Sequence, residues 1–292
     1  MNPTPKISIV TPSYNQGEFL AAAMHSVIDQ NYPNLEYVVM DGGSTDGSLE
    51  IIKKYEKHLA FWASGPDGGH YEALNKGFAK TTGEIMAWIN SDDKYLPWTF
   101  SVVAEIFSSF PQVEWLTTLY PVLWDEDGRA VECRYVDGYS RLGFLRGEFL
   151  PRGKGYAKDF IQQESTFWRR SLWERAGGRL NSDLKFAADF ELWARFYQHA
   201  ELYGVNTTLG GFRCHPKQKT ARFINEYTQE ACSILAQHNG RPYGTFESLV
   251  RPQLQRIFPQ RLRRLAVMLK VRHPQKQCLR IGRLPGWKVV EE

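Results

Sequence analysis

Cysteine is scarce in this 292-residue chain: Cys133, Cys214, Cys232 and Cys278 lie far apart, with no C-x-x-C pair and no zinc-ribbon spacing. This excludes a disulfide-stapled scaffold and a structural zinc, and leaves buried or idle thiols. Long apolar runs are also missing. None approaches the roughly 20 residues of a membrane-spanning helix, and the opening Met1–Val10 is too poor in apolar residues for a secretory leader. A cytoplasmic, unprocessed protein is the resulting expectation. Absent too are G-x-x-x-x-G-K-[ST], a G-x-G-x-x-G after a strand and a G-x-S-x-G elbow. Phosphate is therefore not held by a glycine-rich cradle alone, and a serine hydrolase of the common α/β kind is excluded.

What is present is a foldable chain, 42% hydrophobic and 23% charged, long enough for one large or two ordinary domains. Its formal charge of +4 conceals an asymmetry: residues 241–292 carry 12 Lys/Arg against 3 Glu, a surplus of +9, which leaves −5 for residues 1–240. A basic segment of this kind meets phosphate on nucleic acid, anionic lipid, or only water.

Strand and helix alternate through the first 120 residues or so. Apolar runs at Ile7–Val10, Leu35–Met40, Ala60–Ala63 and Ile85–Ile89 predict strands, and helical spacing marks Phe19–Ile28, the region of Ile51–Tyr55 and Tyr71–Lys80. That alternation predicts a mostly parallel sheet with right-handed crossovers. From about Val113 the pattern becomes α+β. Trp115–Leu123 and Ala130–Tyr135 flank the turn signal Asp125–Gly128, as in a hairpin; helices are expected at Ser171–Ala176 and Ala188–Tyr197, a strand over Leu202–Phe212, and helices from Phe223 to about Val271.

Ligands of open parallel sheets bind beyond the carboxyl ends of the strands. Here the four strand ends read Thr11-Pro-Ser-Tyr-Asn15, Asp41-Gly-Gly-Ser-Thr-Asp46, Ser64-Gly-Pro-Asp-Gly-Gly69 and Asn90-Ser-Asp-Asp93. Taken singly, Gly42-Gly43 could be only a turn, Thr45 or Asp46 only a cap, and Asp92-Asp93 only solvated acids. Jointly they supply carboxylates, hydroxyls and glycines to one rim, and adjacent acids at a buried strand end call for a cation that can also clamp a diphosphate.

The runs Ile7–Asn15, Asp41–Asp46, Gly65–Gly69 with Ala73–Gly77, Thr82–Glu84 and Asn90–Asp93 resemble glycosyltransferase family 2, in order and spacing, over about residues 6–215. The resemblance implies a GT-A fold: a mostly parallel, Rossmann-like sheet flanked by helices. It divides the chain into a nucleotide-sugar-binding half at 1–120, an α+β acceptor-binding and catalytic half at 121–220, and a basic helical extension at 221–292. The implied reaction is an inverting transfer from a nucleoside diphosphate sugar, UDP being the commonest donor, with GDP and dTDP open. The acceptor is a saccharide or polyprenyl-linked saccharide in cell-surface polysaccharide synthesis. By the same similarity Thr11, Pro12, Tyr14 and Asp41 serve the base, Asp67 and Lys76 the base or ribose side, and Asp92 the ribose or sugar. Asp93, with His215, binds Mn²⁺ or Mg²⁺.

Inversion by one displacement needs one carboxylate to take the acceptor's proton. The segment Ala187-Ala-Asp-Phe-Glu-Leu-Trp193 resembles the family's base-bearing segment and points to Asp189, which shares a helix face with Leu192 and Trp193. A helix N-terminal acid favoured by the macrodipole is the simpler alternative. Glu164, in Gln162–Trp168, is the second candidate base; Arg213 and Lys219 are candidates for phosphate oxygens.

Residues Gln260–Val271 place Leu262, Leu265, Ala266 and Leu269 at helical spacing among basic residues. This is either a helix packed on the catalytic domain or an amphipathic one on an anionic membrane surface, peripheral to the inner face. Two other functions compete. A sugar-nucleotide-forming nucleotidyltransferase needs a basic glycine-rich loop that Thr11–Gly17 lacks, and a nucleic-acid-binding protein would leave the polar rim unexplained; no nucleic-acid partner is expected.

Overall fold

A computed structural model describes residues 4–150, 160–244, 275–280 and 286–291. Strands and helices alternate first: β1 (Ile7–Ser13), α1 (Gly17–Ile28), β2 (Leu35–Asp41), α2 (Ser48–Tyr55), β3 (Phe61–Ser64), α3 (His70–Phe78) and β4 (Ile85–Trp88). A short β5 (Lys94–Tyr95), α4 (Thr99–Ser109), β6 (Trp115–Thr118), β7 (Val122–Trp124), β8 (Ala130–Cys133) and α5 (Arg141–Leu145) follow. The chain continues through β9 (Phe167–Arg169), α6 (Arg170–Arg175), α7 (Ala188–Phe196), β10 (Tyr203–Val205), β11 (Gly210–Arg213), α8 (Lys219–Arg222) and α9 (Ile224–Gln237). It ends in β12 (Lys276–Leu279) and β13 (Lys288–Glu291).

The large sheet runs β13-β12-β10-β6-β9-β4-β1-β2-β3, and a smaller one runs β5-β11-β7-β8. All seven residues of β1 are buried, as in a parallel strand covered on both faces. β1 pairs in parallel with β2 and β4, and β2 with β3, so that Ser13, Asp41 and Ser64 lie level at one rim. The first half is therefore the parallel sheet that the alternation predicted. Its helix α3 approaches closely at Gly77, where a Cβ would stand 2.5 Å from Val10 Cγ1.

Several expected elements differ. Trp115–Thr118 is no part of the hairpin: it joins the large sheet between β9 and β10, while β7 and β8 form the hairpin in the smaller sheet. The strand expected over Leu202–Phe212 is two strands in different sheets, because Thr118 Oγ1 and Trp98 Nε1 take the carbonyls of Thr207 and Thr208 at the break. The end of the chain, expected to be helical, supplies β12 and β13 to the large sheet, with Tyr203 Oη donating to Glu291 Oε1 at 3.2 Å. The amphipathic stretch 260–271 lies outside the described residues. Of the cysteines, Cys133 and Cys232 are exposed and Cys278 is buried.

α7 is seated on the sheet by tryptophan. Trp193 stacks on Trp88 at 6.0 Å and on Trp115 at 5.6 Å between centroids, with Trp168 edge-on at 5.9 Å. Such pairs are worth about 0.5–1.5 kcal/mol each beyond the burial of their area. Trp88 is thus core, as its apolar strand predicted; Trp98, by contrast, is 45% exposed.

At the opposite, amino end of the sheet, the buried Glu36 carboxylate accepts from Lys6 Nζ (2.9 Å), Ser8 Oγ (2.6 Å), Thr82 N (2.6 Å) and Gly83 N (3.1 Å), joining β1, β2 and the turn before β4. Burial alone would raise this carboxyl, but the donors Ser8, Lys6 and Thr82 outweigh it and hold its pKa at about 2. The stability it contributes is present above its ordinary pKa of 4.5 and is lost as pH falls from there through about 2. Glu36→Gln should lower stability at pH 7 by about 2 kcal/mol, since the amide cannot satisfy all these donors. Thermal melts at pH 7 and pH 3 test this: the gap between wild type and variant should shrink at the lower pH.

Candidate active site

Four parallel strands end on one rim, and their side chains meet there. Tyr14, just past β1, is 64% exposed. Gly42, just past β2, lies between Tyr14 and Asp67: a Cβ there would stand 3.2 Å from Tyr14 Cδ2 and 3.2 Å from Asp67 Oδ2. Glycine thus keeps a gap open between an aromatic ring and a carboxylate. Asp67 Oδ1 accepts from Gly69 N at 2.8 Å, which fixes the turn into α3. Asp41 is buried and accepts from Ser44 Oγ (2.5 Å), Ser64 Oγ (2.6 Å) and the N–H groups of Gly43 and Ser44 (3.1 and 3.0 Å). Its carboxylate shapes the loop beneath the gap. Thr11 is fully buried with Oγ1 3.0 Å from Tyr37 Oη, and Pro12 is buried too, so both support the rim from below rather than line it. Lys76 is half-exposed and paired with Glu72 at 2.5 Å.

The two acids after β4 have different fates. Asp93 has no exposed surface; Oδ1 accepts from Arg213 N at 2.7 Å, and Oδ2 from Asn90 Nδ2 at 3.1 Å. It also shares a hydrogen bond with buried Glu164. Burial first, and then the neighbouring carboxylates, push both of these carboxyls above the usual range. Asp92 is the acid that meets solvent: its side chain is 18% exposed, and Oδ2 lies 3.0 Å from His215 Nε2. The His215 ring is tilted against Phe19 at 4.6 Å, and its Nδ1 is buried without a protein partner. The expected metal ligand Asp93 is thus turned inward by the Arg213 N–H and the Asn90 amide, and the expected sugar contact Asp92 is the acid left to meet the solvent.

Arg213 departs from expectation as well. Its guanidinium is buried, donating to the carbonyls of Asp92 and Glu126 with its face on the Phe19 ring at 4.9 Å, and so it braces the site instead of presenting charge to phosphate. Lys219 is exposed, and its charge acts on His70, a residue that the strand-end pattern does not single out. Burial, then the Lys219 charge, lower the His70 pKa to about 4 despite Asp92, so this imidazole is neutral at physiological pH. Its position directly after the Gly68-Gly69 turn, at the start of α3, was the available signal.

Among the described residues no cluster of three or more His, Cys, Asp or Glu could hold a metal ion. Asp92 and His215 nevertheless fit a divalent ion as two of its ligands. Their 3.0 Å separation equals that of two adjacent octahedral ligands about 2.1 Å from an ion, and a hard ion keeps water and phosphate oxygens in its remaining positions.

Asp189 stands in the first turn of α7 and is partly buried. Tyr227 Oη of α9 donates towards both its oxygens at 3.4 Å. Burial raises its pKa to about 6; hydrogen bonds from Phe190 N and Tyr227 oppose the rise and the Glu230 charge adds to it. Its charge and that of Asp92 both raise the pKa of the buried Glu164. Tyr227, Glu230 and Tyr71 surround Asp189 and are likewise not singled out by sequence; nothing in their spacing distinguishes them from packing residues.

The family model described as Glycosyl transferase family 2 matches residues 8–121. An uncharacterized glycosyltransferase of Mycobacterium tuberculosis (strain ATCC 25618 / H37Rv) is 32% identical over 203 residues, covering 67% of this chain and 70% of the relative. Among solved structures, S. aureus TarS 1–349 in complex with UDP-GlcNAc superposes with a TM-score of 0.58 at 18% identity, over 92% of this chain and 76% of that one. The mannosyltransferase PcManGT from Pyrobaculum calidifontis, in complex with GDP-Man and Mn²⁺, gives 0.54 at 15% identity, over 92% and 85%.

A raised carboxyl pKa costs stability where the group must ionise. The Asp189 penalty is absent below its ordinary value of 3.8 and develops as pH rises through about 6. Asp189→Asn should therefore be more stable than wild type by about 1–2 kcal/mol at pH 8 and gain little at pH 4.5. Denaturant melts at the two pH values measure the difference.

Proposed function

The chain belongs to glycosyl transferase family 2 and is a glycosyltransferase of GT-A fold, and from that premise we propose that it transfers a sugar from a nucleoside diphosphate donor, UDP foremost, to a saccharide or lipid-linked saccharide with inversion at the anomeric carbon. The observation that carries the reading is the Asp92–His215 pair, 3.0 Å apart, in which Asp92 reaches solvent on the rim that also presents Tyr14, Gly42 and Asp67. The base lies against Tyr14 over the gap at Gly42, with Asp67 and Lys76 on the ribose side. Asp92 and His215 would hold Mn²⁺ or Mg²⁺ beside the diphosphate, and Lys219 adds charge from α8. When bound, the ion supplies positive charge that stabilises the leaving diphosphate.

Asp189 is the base of this scheme. The acceptor oxygen attacks the anomeric carbon, the bond from that carbon to the diphosphate oxygen breaks, and the acceptor's proton passes to the Asp189 carboxylate. A pKa of about 6 suits a general base, because the carboxylate is ionised at pH 7 yet more basic than an ordinary aspartate. Glu164 is buried against Asp93 beneath the site, so in this scheme it serves as support and not as the base. Support for a nucleotide-sugar donor comes from the fold shared with structures that hold UDP-GlcNAc and GDP-Man. The basic residues of 241–292 are proposed to draw the enzyme to an anionic membrane carrying its acceptor. No described helix is long and apolar enough to cross a membrane.

Thermal shift with UDP, GDP, dTDP and CDP, each with and without Mn²⁺, tests the donor site. One diphosphate should raise Tm by several degrees only with metal, and Asp92→Ala should abolish that dependence. Stabilisation by none of the four would refute the reading. For the chemistry, Asp189→Asn should lower kcat by about 10²–10⁴-fold with the diphosphate shift intact. Wild-type kcat should fall as pH drops through about 6, where the base protonates.

A further inference from the structure

α7 begins without a cap of its own: Ala187 occupies the cap position, and no side chain of the segment accepts there. The exposed ends of the backbone are taken instead from outside. Glu230, on α9, accepts from the N–H groups of Lys185 (3.1 Å), Phe186 (2.9 Å) and Ala187 (2.9 Å) through its two carboxylate oxygens. Tyr71, on α3, donates to the Phe186 carbonyl at 2.6 Å and receives the Ala188 N–H at 3.4 Å. Tyr227 precedes Glu230 by three residues on α9, hence on the same face, and its hydroxyl is the one that reaches Asp189.

We propose that Glu230 and Tyr227 are positioning residues for Asp189, so that α9, outside the stretch matched by the family model, is a working part of the catalytic unit. The inference rests on Asp189 being the base. Three charge-assisted hydrogen bonds fix where α7 starts, and therefore the height of its first-turn carboxylate, while Tyr227 fixes that carboxylate's rotamer. A helix cap serving stability alone would not need the neighbouring residue of α9 to touch the acid. Nor would it need Tyr71, from the donor half, to close the same backbone from the other side. A misplacement of about 1 Å at a reacting group is enough to cost 10²-fold in rate.

The ionisable groups facing Asp189 are Tyr71 from α3, Tyr227 and Glu230 from α9, and Glu164 from the turn before β9. Removing the Tyr227 hydroxyl withdraws a donor from the ionised carboxylate, and neutralising Glu230 withdraws a negative charge. The two changes therefore move the acid limb of the kcat profile in opposite directions, which general loosening of the fold would not do.

The experiment uses the full chain and Tyr227→Phe, Glu230→Gln, Glu230→Ala and Asp189→Asn. Its readout is nucleoside diphosphate release, with water as acceptor, from UDP-GlcNAc or GDP-mannose, according to whether UDP or GDP stabilises the protein. Tyr227→Phe and Glu230→Ala should each lower kcat about 10-fold or more. Donor KM and the diphosphate-dependent Tm shift should stay within twofold of wild type. The acid limb should move up in Tyr227→Phe and down in Glu230→Gln, with Glu230→Gln retaining more activity than Glu230→Ala. If Glu230→Ala melts below the assay temperature, the two volume-conserving variants decide. Wild-type kcat and unmoved limbs in both, with Asp189→Asn inactive, overturn the positioning role and leave the base in place. Activity retained by Asp189→Asn overturns the base, and the positioning role with it.

Discussion

A carboxylate without exposed surface ties the two sheets of this enzyme together. Asp93 leaves the end of β4 in the large sheet and takes the backbone N–H of Arg213 in β11 of the smaller one, at 2.7 Å. That bond joins the sheets where both end, beside those of Gln162 and Ser165 to Val122 and Gly210, and the site is built on it. Two residues past Arg213 the chain delivers His215 to Asp92, and four residues further comes Lys219, whose charge acts on His70. The Arg213 side chain, folded back onto the carbonyls of Asp92 and Glu126, closes the same joint from the other side. Leaving a buried N–H without its acceptor costs about 1–3 kcal/mol, so the joint is strongly specified.

Burying carboxylates to build this joint has an electrostatic consequence. Asp93, Glu164 and Asp189 all sit above the usual carboxylate range, each chiefly through burial. The site thus stores a demand for positive charge that the described side chains do not meet, since Arg213 is engaged with carbonyls. The divalent ion proposed at Asp92 and His215 would answer that demand, and in the proposed reaction the raised Asp189 would turn the same burial into basicity. Stability is given up at the place where chemistry is done, while Glu36 at the far end of the sheet, held at about 2, adds to it.

The first half was readable because its signals are local. Four apolar runs alternate with helical spacing, and the turn residues after them fall on one rim by the geometry of parallel strands. The second half was less so. Trp115–Thr118 and the segment Leu202–Phe212 carry the apolar pattern of strands, but the sheet each joins depends on partners more than 80 residues away, such as Thr118 with Thr207. The closing strands β12 and β13 are short, and only the free edge of β10 makes them strands.

The candidate site divides in the same way. Sequence alone determined the family, the parallel-sheet half and the residue types on its rim, because spacing along a strand or helix dictates which side chains share a face or an end. It also singled out Asp189 and His215. Tertiary structure decided which of two adjacent acids meets solvent, since that depends on an N–H supplied 120 residues later. It decided that Arg213 braces the site and does not reach for phosphate. It placed His70 at the rim and Tyr71, Tyr227 and Glu230 around Asp189. Their roles come from distances across the fold, and a pattern of nearest neighbours along the chain contains no such distances.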